Sequence, residues 1–116
     1  MPDSIEEAML GVPAQNPHAL AVFTDGQEFW ISRYGVGITG HWHIAANAHV
    51  THVVIYHRTH GQNLIYRADV LRIFESPPGP QVRRFVVFQH AQLLGTTERD
   101  WPGFAGGGQN PVRYWP

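Results

Sequence analysis

The chain reads as an α+β protein that is mainly β, a small mixed β-barrel with one or two short helices. Two observations carry this expectation. Five or six runs of strand length are rich in β-branched and aromatic residues and are punctuated by glycine and proline, whereas only two short segments carry helix signals. Apolar strands in so small a protein would also expose pairing edges, which a closed or nearly closed sheet removes.

The first 18 residues are expected at the periphery, ahead of a single domain over 19–116. Ser4-Ile5-Glu6-Glu7-Ala8-Met9-Leu10 has the form of a short helix, with Ser4 as N-cap and Glu7 closing a capping box. Gly11 ends it, and Pro13 and Pro17 keep the following residues extended. Ala19 to Thr24 and Gln27 to Arg33 are β-prone runs separated by Asp25-Gly26, a dipeptide favoured in two-residue type I′ hairpins. Gly35, Gly37 and Gly40 then suit a kinked strand or a loop with close backbone approach. The stretch lacks the full dinucleotide fingerprint, and no helix pattern follows it.

Val50 to Thr59 and Leu64 to Glu75 are the strongest strand signals, joined by His60-Gly61-Gln62-Asn63 as a tight turn. In the second run Ile65, Leu71 and Ile73 share one parity, interrupted by Arg67 and Asp69. Ser76-Pro77-Pro78-Gly79-Pro80 is a loop. Arg83 to Leu94 places Phe85 and Val87 on one face and Val86 and Phe88 on the other, so burial on both sides is expected. Thr96 or Thr97 is placed to cap a single turn through Trp101, ended by Pro102, with a flexible Gly103 to Gly108 after it.

Composition removes several function classes. The formal charge of −1 argues against coating nucleic acid by bulk electrostatics, although a local basic face remains open. All eight cations are arginines, whose forks suit carboxylate, phosphate or a guanine edge; codon bias yields the same composition. The absence of cysteine excludes disulfides, thiolate metal sites and cysteine nucleophiles. No run approaches the roughly 18 apolar residues of a membrane span, and the acidic start is unlike a signal peptide. The default expectation is a cytoplasmic protein with no membrane partner.

The densest chemistry lies between Gly40 and His52, which holds four of the eight histidines. On a strand, His41 and His43 project to the same face and could grip one metal ion, zinc or another divalent transition metal. A third ligand would come from elsewhere, and no glutamate follows the His-x-His pair, as it would in a cupin-like site. On a loop, the same imidazoles would line a polar pocket with Trp42. Asp69 and Glu75 are the only carboxylates between Glu28 and Glu98, so Asp69 with a histidine is the acid–base candidate. No serine sits in a nucleophile elbow.

Trp30, Trp42 and Trp101 lie beside polar or glycine-rich sequence and are the candidate stacking residues; ordinary packing is the alternative for each. Arg58, Asn110 and Arg113 are candidate polar contacts to a base edge or phosphate. Asn110 could equally cap a turn, and Arg113 could pair with Asp100.

The pattern resembles the PUA-like superfamily, which includes the EVE, YTH and ASCH domains. The resemblance rests on Phe29-Trp30-Ile31, on Trp42 after a glycine-rich stretch, and on the pair Val53 to His57 and Leu64 to Val70. Arg84 to Phe88 and the late Arg113-Tyr114 complete it, over roughly residues 19–115. It implies a small β-barrel that binds RNA or modified DNA bases; similarity to YTH-type members implies an aromatic cage of Trp30, Trp42 and Trp101. The histidine cluster and the lack of a basic surface depart from that pattern. The expected function is therefore recognition of a nucleobase, plain or modified, in nucleic acid or a nucleotide-like ligand. The competing expectation is a small metal-dependent enzyme, and a second copy of the chain is a further candidate partner.

Overall fold

Two stretches of the chain are apolar at nearly every position, Ala19 to Val22 and Val53 to Tyr56, and they lie side by side in the sheet. In the computed structural model, which describes residues 2–45, 48–75 and 82–116, seven strands and two short helices are formed. The helices are α1 (Ile5–Ala8) and α2 (Trp101–Ala105). The strands are β1 (Ala19–Thr24), β2 (Phe29–Ile31), β3 (Gly37–Trp42), β4 (His52–Thr59), β5 (Gln62–Glu75), β6 (Arg84–Thr97) and β7 (Val112–Trp115). They form one sheet in the order β2-β3-β6-β5-β4-β1-β7, mixed because β1 runs parallel to β4 while every other pairing is antiparallel.

The expected mainly β character and the short helices are observed; a closed barrel is not. No ladder joins β2 to β7 among the described residues, so the sheet is open. It is nevertheless strongly curled. Flat, β3 and β7 would lie five spacings apart, about 24 Å at ~4.8 Å per strand. Yet the amide of Ala45, just beyond β3, donates to the Tyr114 hydroxyl of β7 at 3.1 Å. Phe29 of β2 likewise meets His57 of β4 with ring centroids 5.1 Å apart.

Curling gives the sheet two cores. The concave side gathers Leu20, Val22, Val53, Ile55, Val86 and Phe88, with Trp42 and Ile44. The convex side of β1 and β4 presents Ala19, Ala21, Val54 and Tyr56 to Ile5, Ala8 and Met9 around α1 and to Trp101 and Phe104 of α2. Alanines at 19 and 21 leave the room that the helices need to approach the sheet. The first 18 residues, expected at the periphery, thus contribute to a core.

Hydrogen bonds within that segment and to the sheet hold it in place. Ser4 caps α1 through the Glu7 amide at 3.0 Å, as the sequence suggests, although the Glu7 carboxylate reaches back to the Asp3 amide instead. Arg67 Nη1 donates to the carbonyls of Ala8 and Leu10, satisfying acceptors at the helix end. Thr97 Oγ1 donates to the Asp3 carboxylate at 2.8 Å.

Several expectations are corrected. Asp25-Gly26 does not make a β1–β2 hairpin: β1 is flanked by β4 and β7, and β2 shortens to three residues paired with β3. Instead Thr24 Oγ1 accepts from the Gly26 amide and donates to the Gln27 carbonyl, turning the chain away. The β4–β5 turn tightens to His60-Gly61, since Thr59 pairs with Gln62. The shared parity of Ile65, Leu71 and Ile73 is broken by register shifts along β5: Ile65 faces the helices, Ile73 the concave core, and Leu71 is 51% exposed. In β6 Val86, Phe88 and the terminal Thr97 are buried; Phe85 and Val87 are half-covered. Burial on both faces belongs to β1 and β4. Pro102 does not end a turn but sits in the first turn of α2, where its missing amide costs nothing, behind Asp100 as N-cap. The loop expected at 76–80 lies outside the described residues.

Gly37 marks where β2 and β3 approach most closely. A Cβ there would lie 2.2 Å from the Trp30 carbonyl oxygen and 2.5 Å from the Phe88 ring, whereas one on Gly108 would meet nothing. Gly37→Ala is therefore expected to lower the urea unfolding free energy by about 1–3 kcal/mol, with Gly108→Ala within ~0.5 kcal/mol of wild type. Equal stabilities would show that the β2–β3 contact is not tight.

Candidate functional site

Phe23 and Tyr56 are register partners on β1 and β4, and their rings lie 5.6 Å apart. Trp101 packs against both, at 6.0 Å from Phe23 and 5.7 Å from Tyr56. The indole is fixed from behind by its Nε1–H, which donates to the Asn110 carbonyl at 2.7 Å. Burial raises the Tyr56 pKa, Asp100 raises it further and Arg58 opposes; the protonated phenol donates to the Arg99 carbonyl at 2.6 Å.

These three rings and Pro102 form the apolar wall of a groove of about 420 Å³ at one end of the sheet. Its rim carries Arg58, Asn63, Glu98, Asp100 and Gln109. Such a volume falls within the range of small-ligand clefts, and its lining is as polar as it is apolar. Phe23, half-buried at the tip of β1, also lines two adjoining hollows. One includes His57, Arg58 and His60, and the other His41 and the edge of Trp42.

The sequence candidates fall in different places. Trp101 and Arg58 meet in the groove, and Asn110 sits behind it, its side chain accepting from the Val112 amide at 3.0 Å. Arg113 forms no ion pair with Asp100; its guanidinium lies where a Cβ of Gly107 would be, and its Nε is buried with no hydrogen-bond partner among the described residues. Trp42 is 9% exposed, in the concave core, with Nε1 bonded to Thr39 Oγ1 at 3.2 Å. Trp30 is 58% exposed on the edge strand β2. The three tryptophans therefore do not converge on one cage: one faces solvent, one is in the concave core and one is packed under the helices.

His41, in β3, and His43, just beyond its end, flank buried Trp42 and are both exposed. His41 packs on the Phe85 ring at 4.1 Å between centroids. Among the described residues no three of histidine, cysteine, aspartate or glutamate are placed to hold one metal ion.

Asp69 does find histidines, and finds two. Its carboxylate lies 3.4 Å from His52 Nε2 and 2.8 Å from His90 Nδ1, while His52 Nδ1 meets Thr51 Oγ1 at 2.7 Å. Thr51 in turn bonds both backbone groups of His18, so the chain of contacts ties the segment before β1 to β4, β5 and β6. His90 adopts φ 56°, at a register irregularity of β6. Burial holds the His52 pKa below its ordinary value, Asp69 opposing and Arg67 adding to the shift.

Phe23, Tyr56, Asn63, Glu98, Asp100 and Gln109 were not singled out as site residues in the sequence. Asp100-Trp101-Pro102 carries an available signal, since an acidic N-cap ahead of an early proline starts a helix. The parallel register that pairs Phe23 with Tyr56 carries none. No protein-family model matches the chain, and neither a curated protein nor a solved structure is significantly similar to it.

His57 behaves like His52: burial lowers its pKa and Asp25 opposes. An unfolded chain takes up protons near pH 6.5 that these native imidazoles refuse. Stability is thus full above pH 6.5 and falls as the pH drops through it towards the native values. The urea midpoint should decline from pH 7.5 to 5.5, and His57→Gln should flatten the decline. A midpoint that rises on acidification contradicts this assignment.

Proposed function

We propose that the chain is a PUA-like module, without catalysis of its own, that takes up a nucleobase, plain or modified, in the groove walled by Phe23, Tyr56 and Trp101. The observation that carries the reading is that groove: an aromatic wall beside an arginine and amide rim at one open end of a β-rich domain. The superfamily assignment rests on the sequence pattern, and the β-rich class with two short helices is the part of it seen in the fold. Bases offer a planar π-face for the Phe23 ring and hydrogen-bonding edges for the rim, and stacking contributes ~1–3 kcal/mol per base held.

The rim also shapes which part of the ligand enters. Glu98 and Asp100 outnumber Arg58, so a phosphate is disfavoured inside and a neutral base edge is favoured. Nucleotide-like ligands and single-stranded nucleic acid are the partners this implies, with the sugar–phosphate outside the groove. No helix among the described residues is long and apolar enough to cross a membrane.

Titration with nucleosides and short single-stranded oligonucleotides, followed by tryptophan fluorescence, tests the reading. Binding should perturb Trp101, and Phe23→Ala should weaken it about tenfold or more, as loss of a stacking face implies. Trp30→Phe should leave it unchanged. Absence of any response at millimolar nucleoside and at high oligonucleotide concentration would refute the proposal.

A further inference from the structure

The rim of the groove has two charged side chains with nothing to do. Asp100 spends one carboxylate oxygen on the Gly103 amide at 2.9 Å, and Asn63 donates to the carbonyls of Thr97 and Arg99. The side chains of Arg58 and Glu98, by contrast, make no hydrogen bond or ion pair with any described residue. Their backbones are set apart by the sheet. Arg58 pairs with Asn63 across the β4–β5 ladder and Asn63 with Thr97 across β5–β6, and Glu98 follows Thr97. Two strand spacings, about 10 Å of backbone separation, therefore divide them.

From this we infer that the groove selects a guanine-type edge. The inference rests on the base-binding reading and specifies its ligand. A carboxylate accepts two parallel hydrogen bonds only from adjacent donors, and a guanidinium fork donates two only to adjacent acceptors. Guanine carries both: N1–H beside the N2 amine on one edge, O6 beside N7 on another. Arginine to O6 and N7 is the commonest specific contact to a base. Adenine has its single amine between two ring acceptors, uracil one N–H between two carbonyls, and cytosine one amine beside a ring acceptor. None of these engages a carboxylate and a guanidinium bidentately at once. Glu98 thus reads N1–H and the N2 amine, Arg58 reads O6 and N7, and the base plane rests on Phe23.

Calorimetric titration of the intact protein with guanosine, adenosine, cytidine, uridine, inosine and 7-deazaguanosine tests this without any substitution. Guanosine should bind about tenfold or more tighter than the other standard nucleosides, on the scale of one bidentate pair. Inosine lacks the N2 amine and 7-deazaguanosine the N7 acceptor, so each should lose a comparable factor. Glu98→Gln should abolish the preference for guanosine over inosine, and Arg58→Lys the preference over 7-deazaguanosine, because a lysine keeps the charge without the fork. Both residues are exposed, so the variants should fold. Equal affinities for the four standard nucleosides, or tighter binding of another, would overturn the guanine assignment while leaving base binding intact. A guanosine preference that survives both substitutions would overturn the roles given to Glu98 and Arg58. No binding of any nucleoside or oligonucleotide would remove the base-binding reading itself.

Discussion

Strand β1 has neither a free edge nor a free face. Its backbone is paired to β4 on one side and β7 on the other; Leu20 and Val22 fill the concave core while Ala19 and Ala21 lie beneath the helices. The parallel pairing with β4 is the constraint on which the remaining architecture rests. It sets Val53 and Ile55 beside Leu20 and Val22, and Val54 and Tyr56 beside Ala21 and Phe23, so that two cores grow from one six-residue ladder. A parallel pair cannot be joined by a tight turn and needs a long crossover. The intervening chain supplies it, and in doing so lays down β2 and β3 on the far side of the sheet.

The groove follows from the same register. Phe23 stands opposite Tyr56 in the same register that sets Ala19 opposite His52; a shift of β1 by one residue would turn Phe23 to the concave side and leave Tyr56, held by β5, on the other face. Trp101 then closes the wall, because Asp100 starts α2 at that point and the Asn110 carbonyl fixes the indole from the other side. Asn110 and Trp101 are thus linked through structure: the asparagine holds the ring's hydrogen bond and turns the chain into β7. The groove has a wall in which Tyr56 and Trp101 are buried, and its rim carries Arg58 and Glu98 on long, exposed side chains.

The histidines divide into two kinds. His52 and His57 sit where burial disfavours their charge, one against Asp69 and the other against the Phe29 ring. His18, His41, His43, His49, His60 and His90 are exposed. The clustering seen in the linear sequence therefore disperses in space, since β3 and β4 are separated by β6 and β5 in the sheet. The Asp69 bridge between His52 and His90 gathers residues from β4, β5 and β6 that are far apart in sequence.

Local chemistry was legible in the sequence. Strand β1, the Ser4 cap, the loop-rich start, and the existence of β4, β5 and β6 all follow from β-branched runs and turn residues acting over a few positions. So did the mainly β class, and Trp101 and Arg58 as members of a candidate site. What only tertiary structure decided was non-local. Asp25-Gly26 reads as a hairpin, but both edges of β1 are taken by strands from distant sequence. The parity of β5 fails at its register shifts, which depend on how the sheet curls. Trp30, Trp42 and Trp101 have similar sequence surroundings yet separate onto an exposed edge and two cores, and Glu98 joins Arg58 across forty residues of chain. Strand order and register are set by which faces can be buried together, and a linear sequence holds that information only as a sum over pairs it does not align.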